Sequence, residues 1–322
     1  MTDFTILVLP GAFSASVAAT LDILRAAAAM APRLGQPTPT WRVLSASAGL
    51  IPLGSGMLVQ AAALPRRARA DRSTWIVPGL GLDTPQAIAA AMAGAHARIA
   101  ARALAGHAAR GGSIAAACSA VFLLQAAGLL AGRTVTTSWW LAAELRRIAP
   151  GCTVDAERMV CVDGALVTAG AAFAHTDLML HLLRARLGVA LADAVGRVLL
   201  LDARQAQAPF VVPPMLANGN ALVAQLVARI EAALPAPPSV AELAAACAMS
   251  QRTLSRHVRQ ATGQSTMALV QSVRLNRART LIAASRMSIE AVAGQVGYDD
   301  ATALRRLMRK SAGANPSQFR RG

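Results

Sequence analysis

Residues 239–263 read SVAELAAACAMSQRTLSRHVRQATG, and this stretch decides how the rest of the chain is divided. Ser239-Val240-Ala241-Glu242 has the form of a capping box: the serine hydroxyl can accept from the backbone N–H three residues on while the glutamate reaches back, so a helix starts here. Its apolar face is Val240, Leu243, Ala244 and Cys247, and it is expected to end near Met249. Ser250 then caps a second helix, Gln251 to Ala261, stopped by Gly263. In that helix Leu254 and Val258 lie four apart and face inward, leaving Gln251, Arg252, Ser255, Arg256 and Arg259 on the open face. A short helix, a tight turn and a second helix with a basic outer face is the geometry that enters a major groove.

The arrangement recurs downstream. After a long helix from about Met267 to Ala284, Ser288 opens another short helix with Glu290 in its first turn, where the helix dipole favours an acid. Val292, Ala293 and Val296 form its core side, Gly297-Tyr298 makes the turn, and Asp299 or Asp300 caps a last helix from Ala301 to Ser311. Leu304, Leu307 and Met308 point inward there, while Thr302, Arg305, Arg306, Arg309 and Lys310 stay outside. Charge agrees with an acidic partner. Of 32 basic residues, all arginine but Lys310, 13 fall in residues 239–322 against 4 acids (+9), leaving 19 and 12 (+7) for the first 238. Double-stranded DNA is the leading partner for a compact basic domain, although a generally arginine-rich proteome would also give such a surplus.

These residues resemble the AraC/XylS family of regulators. The resemblance runs through Met249-Ser250-Gln251-Arg252-Thr253-Leu254, Ala261-Thr262-Gly263, Arg274-Leu275-Asn276-Arg277-Ala278, Gly297-Tyr298-Asp299-Asp300 and Asn315-Pro316-Ser317-Gln318-Phe319-Arg320, essentially the whole of residues 239–322. It implies two recognition helices in successive major grooves roughly 34 Å apart. By position, Arg252, Ser255 and Arg256 would face bases from the first, and Thr302 and Arg306 from the second, with Ala303 adding a methyl contact. Thr266 stands where the family usually has proline, and Leu304 and Met308 replace common phenylalanines, swaps that keep the core apolar.

Working back from Ser239, Pro209, Pro213-Pro214, Pro235 and Pro237-Pro238 bracket one helix, Asn220 to Ala233, so residues 204–238 read as a linker. Residues 1–203 alternate short apolar runs with helical patterns, the signature of an α/β domain with a largely parallel sheet. Strands are expected at Thr5 to Leu9, Trp41 to Ser45, Trp75 to Val77, Ser113 to Cys118 and within Met159 to Thr168. Helices are expected at Ser16 to Met30, Asp83 to Ala109, Ala120 to Leu130, His175 to Leu187 and Ala192 to Ala203. The run Ile114 to Ala131 is apolar enough to suggest a membrane span, but Ser119, Gln125 and Gly128 favour a buried strand turning into a buried helix. The four cysteines, Cys118, Cys152, Cys161 and Cys247, form no CxxC pair, so neither a disulfide framework nor a zinc site is expected. With no basic leader ahead of the first apolar run, the expected location is the cytoplasm.

At Ala116-Ala117-Cys118-Ser119-Ala120 small residues surround a cysteine between strand and helix, a nucleophile-elbow arrangement. Together with Gly132-Arg133-Thr134-Val135-Thr136-Thr137-Ser138-Trp139, Val77-Pro78-Gly79 and Thr168-Ala169-Gly170, it resembles the DJ-1/PfpI branch of the class I glutamine amidotransferase-like fold, a flavodoxin-like α/β architecture, over roughly Thr5 to Ala203. An all-α tail with two helix-turn-helix units completes the organisation of the GlxA/FtrA-like regulators. Enzymes of that superfamily carry a histidine twenty residues after the cysteine and a glutamate in the first strand-to-helix turn. Here those positions hold Ser138 and Ser16. The missing partners favour a small-molecule sensor pocket around Cys118, Ser119, Ser138 and Ser16, with no catalytic residue, no cofactor and no metal, the alternative being a domain that only dimerises. Homodimerisation through the same domain is expected, with RNA polymerase as a further partner of the DNA-bound protein. The other reading is an atypical cysteine hydrolase or glyoxalase-like enzyme fused to DNA-binding helices. Asp177 matches a family acid or braces the helix it begins; His175 and His181, on a late helix, read as structural or surface residues.

Overall fold

The computed structural model describes residues 2–65, 71–201, 204, 207, 211–217 and 220–312, with the backbone alone at 214 and 310–312. It divides into two compact units, Met1–Gln205 and Ala206–Gly322.

The first unit is built on an eight-stranded sheet of order β3-β4-β2-β1-β5-β6-β10-β9. Its centre is formed by β1 (Phe4–Leu7), β2 (Trp41–Ser45), β5 (Thr74–Val77), β6 (Ile114–Ala117) and β10 (Leu166–Ala169), all parallel. β4 (Leu58–Ala63) continues the parallel set, and the edges β3 (Gly49–Pro52) and β9 (Val160–Asp163) run antiparallel. Every residue of β1, β6 and β10 is buried, as expected for strands covered on both faces. One core layer joins the sheet to α1 (Ser14–Met30), α6 (Ala174–Leu187) and α7 (Val189–Val198) through Val17, Leu24, Leu178, Leu183, Leu191 and Val195. The other joins it to α2 (Pro85–Ala93), α3 (Ala95–Ala108), α4 (Val121–Ala126) and α5 (Ala142–Ile148) through Ile88, Leu104, Phe122, Leu123 and Leu145.

The apolar run from Ile114 divides into β6, a single 3₁₀ turn (Cys118–Ala120) and α4, the strand-to-helix transition its small residues predict. Only Ser14–Leu34 is long and apolar enough among the described helices to cross a membrane, and Val17, Thr20, Ile23, Leu24 and Ala27 of that helix are buried in the core. The helical stretch expected from Asp83 to Ala109 is two helices, because Gly94 adopts an extended conformation (φ −70°, ψ 155°) between α2 and α3. The hairpin β3–β4 and the small sheet of β7 (Thr134–Val135) and β8 (Thr153–Val154) are additional to the expected strands.

In the second unit α8 (Ala221–Ala232) is capped by Asn220, whose side chain accepts from Val223 N at 3.1 Å. This helix was expected within a linker, yet it buries Val223, Leu226, Val227 and Ile230 and packs on α11 (Thr266–Ala284). The remaining helices are α9 (Val240–Ala246), α10 (Gln251–Thr262), α12 (Ile289–Gln295) and α13 (Ala301–Ala312). Both halves of the Ser239–Glu242 capping box are present: Ser239 N donates to Glu242 Oε2 at 2.7 Å and Glu242 N to Ser239 Oγ at 3.2 Å.

Candidate functional site

The elbow of the first unit is tight. Ala117 ends β6 in extended geometry (φ −121°, ψ 150°), and Cys118 turns at once into the left-handed region at φ 57°. A non-glycine residue pays for that conformation, and such strain persists only where the surroundings impose it. Here they do: Ala116, Ala117 and Ala120 are fully buried, and a Cβ placed on Gly79 would sit 3.3 Å from Cys118 Cβ and 3.7 Å from Ser16 Oγ. Cys118 Sγ lies 2.9 Å from Ser138 Oγ, and Thr137 Oγ1 donates to the Cys118 carbonyl at 2.8 Å. The structure thus brings Ser138 to the thiol and sets Ser16 across Gly79 from it. Ser119 interacts with the Cys118 thiol as well, and its hydroxyl accepts from Leu80 N at 3.2 Å and Leu82 N at 3.4 Å, bracing the loop after β5. Next to that loop lies a cavity of about 210 Å³ lined by Leu9, Pro10, Leu80, Leu82, Met92 and His96 among others, which motif reading did not anticipate.

Burial pushes the Cys118 thiol above its ordinary pKa, and the opposing hydrogen bonds from Ser138 and Ser119 are smaller effects. Ser16 Oγ donates to the Ala172 carbonyl at 3.4 Å, and Thr20 Oγ1 donates to the Ser16 carbonyl at 2.8 Å. Thr20 Oγ1 also lies 2.6 Å from His175 Nε2. His175 is fully enclosed, and burial depresses it to about 4, so it is a neutral core histidine. Asp177, buried in the first turn of α6, accepts from Arg204 N at 2.8 Å and from Arg204 Nη2 at 2.7 Å, a partner 27 residues away. Among the described residues no three His, Cys, Asp or Glu side chains gather as a metal-binding set, and all four cysteines are free.

The second unit turns its polar groups outward. On α10, Leu254, Val258 and Thr262 are buried while Arg252, Arg256 and Arg259 are exposed and Ser255 is half-buried. On α13, Ala301, Leu304 and Met308 are buried, Thr302, Arg306 and Arg309 are exposed, and Arg305 is half-buried. Leu304 and Met308 therefore fill the core positions expected of them. Lys310's side chain and the stretch from Asn315 to Arg320 lie outside the described residues. Thr266 serves as the first residue of α11, capped by Ser265, whose hydroxyl accepts from Ala268 N at 3.1 Å. Arg274 is structural: Nε donates to the Val296 carbonyl at 2.7 Å, Nη2 to the Gly297 carbonyl, and the guanidinium lies 3.6 Å from the Tyr298 ring centroid.

With that geometry in hand, comparison with known families is specific. A family described as "Helix-turn-helix domain" matches residues 243–322, and the DJ-1/PfpI family matches residues 88–185. The chain joins a DJ-1/PfpI-like α/β domain to an AraC-type helix-turn-helix domain. Among curated relatives, it is 28% identical over 216 residues to the HTH-type transcriptional regulator GbdR of Pseudomonas aeruginosa, covering 66% of this chain and 59% of that one. Against the HTH-type transcriptional regulator GlxA of Rhizobium meliloti it is 28% identical over 207 residues, 63% of each chain. The matched region thus spans about six-tenths of these relatives' length. The arabinose operon regulatory protein of Escherichia coli is 35% identical over 83 residues, 26% of this chain and 28% of that one. A crystal structure of a Vibrio parahaemolyticus protein shares the fold, with a TM-score of 0.51 at 20% identity over 62% of this chain and 98% of that one.

Proposed function

We propose that the chain is a sequence-specific DNA-binding transcriptional regulator, working in the cytoplasm as a homodimer and controlled by a small molecule bound near the elbow of the first unit. The observation that carries the reading is the pair of exposed, arginine-bearing helices, α10 and α13, each following a short helix and a tight turn. Arg252, Ser255 and Arg256 on the first, and Thr302 and Arg306 on the second, read bases. Arg259, Arg309 and Lys310 supply phosphate contacts, Arg305 belongs to the same DNA-facing set, and RNA polymerase is the partner through which bound protein acts. The names of the relatives support this reading.

Selection of binding sites from a randomised duplex library tests it. Arg256→Ala is expected to relax preference at one or two base pairs and to cost about 1 to 3 kcal/mol on the selected site. Arg309→Ala should weaken all sequences alike, because a phosphate contact carries no sequence information. Recovery of no preferred site by the wild-type chain would overturn the reading.

In the first unit the thiol of Cys118 sits against a hydroxyl, Ser138, where an activated nucleophile would need a base, and burial keeps it protonated. Cys118→Ser is therefore expected to fold and bind DNA normally while changing the response to effector. Alkylation of Cys118 should be slower in the native protein than in the unfolded chain at every pH up to the ordinary thiol range. Rapid alkylation below pH 7, or aldehyde or amide turnover abolished by Cys118→Ser, would favour the fused-enzyme reading instead.

A further inference from the structure

The two helix-turn-helix units can be laid on one frame by their buried residues. Leu254 and Val258 of α10 correspond to Leu304 and Met308 of α13, which pairs Arg252 with Thr302, Ser255 with Arg305, Arg256 with Arg306 and Arg259 with Arg309. The capping serines Ser239 and Ser288 set α9 and α12 in register, so that Ala241 corresponds to Glu290. Where the first unit has Ala241 and Ser255, the second has Glu290 and Arg305, and Arg305 Nη2 donates to Glu290 Oε1 at 2.8 Å. The first unit's own acid, Glu242, is engaged by Ser239 in the capping box. Among the described residues no carboxylate is ion-paired with Arg252, Arg256 or Arg259.

Successive helix residues are separated by about 100° of rotation, so Arg305 lies on the flank of α13 beside Arg306 and against the start of α12. A guanidinium already matched to a carboxylate adds no net positive charge and releases no counterion from a phosphate. Asp299 and Asp300, exposed ahead of α13 where the first unit has Ser250 alone, tilt the balance the same way; Asp300 Oδ1 accepts from Ala303 N at 2.9 Å. We propose that Glu290 is an internal competitor for the DNA backbone: by holding Arg305 it withholds one phosphate contact and makes the second recognition helix the weaker anchor. The proposal rests on the DNA-binding reading above. Both side chains keep contact with solvent, 43% exposed for Arg305 and 64% for Glu290, and ion pairs of that kind are weakly held, so the restraint is adjustable rather than structural.

The test uses the full-length chain and a mixed-sequence duplex of about 40 base pairs, long enough for successive major grooves. Affinity is followed by fluorescence anisotropy from about 50 to 200 mM salt. Glu290→Gln keeps the side chain's shape and is expected to bind about fivefold tighter at the low-salt end, with the slope of log K against log salt steeper by about 0.9, one phosphate's worth. In an Arg305→Ala background the same substitution should leave the slope unchanged, since no arginine remains to be released. Circular dichroism melts confirm that each variant is folded. Glu290→Gln binding no tighter than wild type, or weaker, would overturn the restraint while leaving the regulator reading intact. A wild-type chain that shows no salt-dependent binding to the duplex overturns both.

Discussion

The reversal between α9 and α10 is made by Ala248, and that between α12 and α13 by Gly297; both lie in the left-handed region, at φ 53° and 79°. The hydrogen bonds match as well. Met249 N donates to the Ala244 carbonyl and Tyr298 N to the Ala293 carbonyl, each at 2.9 Å, the long-range bond of a Schellman cap. One backbone device therefore orients both recognition helices, and the units differ in what is hung on it. The first turn is exposed and makes no demand beyond its own dihedral angles. The second is buttressed: Gly297 lies against Pro235, and the next residue, Tyr298, is covered by Arg274. The second turn is thus held from outside by Pro235 and Arg274, whereas the first turn meets no such buttress.

Substituting the second turn should break this comparison most severely. A Cβ on Gly297 would lie 2.0 Å from the Pro235 carbonyl oxygen, a backbone atom that cannot swing aside, and the residue would also be strained at φ 79°. Gly297→Ala is expected to destabilise the second unit by about 3 kcal/mol, combining the left-handed penalty with overpacking. All four tryptophans, Trp41, Trp75, Trp139 and Trp140, belong to the α/β domain, Met1–Gln205, so fluorescence would miss the change. Amide hydrogen exchange across α12 and α13 would report it, and undiminished protection there would show that Pro235 is not a rigid stop. An effect of about 1 kcal/mol is expected from grafting the first unit's residue onto the second turn. Tyr298→Met removes the ring beneath Arg274 and with it a cation–π contact of about that size. Tyr298→Phe, which keeps the ring, is the control; equal loss of exchange protection in both variants would locate the effect in the hydroxyl instead.

Which of these features were legible in the sequence follows from how far apart the interacting residues lie. Ser239 and Glu242, Ser250 and Ser288 act within three residues of themselves, and the buried sets Leu254/Val258 and Leu304/Met308 follow from helical period alone. The elbow was legible for the same reason, because small residues crowd around Cys118 in one short run. What escaped depends on distant partners. Glu290 meets Arg305 across 15 residues, and Asp177 meets Arg204 across 27. Ser119, placed beside Cys118 by sequence, is drawn to Leu80 and Leu82 by backbone donors 37 to 39 residues away. The hairpin β3–β4 gave no alternating pattern, since Leu50 and Leu58 are exposed at the edge of the sheet. Gly94 was hidden inside an alanine-rich run that reads as one helix until its extended backbone is seen.

The smallest expected effect is also the one that isolates the shared device. Ala248 is exposed, so replacing it by glycine removes no packing, and both cap hydrogen bonds, Met249 N to Ala244 O and Ala248 N to Ala245 O, run through the backbone and survive. What changes is conformational. An alanine in the left-handed region costs about 1 to 2 kcal/mol, which glycine does not pay. Against this, glycine enlarges the unfolded ensemble at a cost of about 0.4 to 1 kcal/mol. The difference favours the folded state, so Ala248→Gly should raise exchange protection in α9 and α10 by about 0.5 kcal/mol. DNA affinity should stay as it was, because no outward-facing residue of α10 is touched. Were Ala248→Gly to lower protection instead, unfolded-state entropy would outweigh relief of the strained turn. The left-handed turn at Ala248 would then carry less strain than an alanine ordinarily does there.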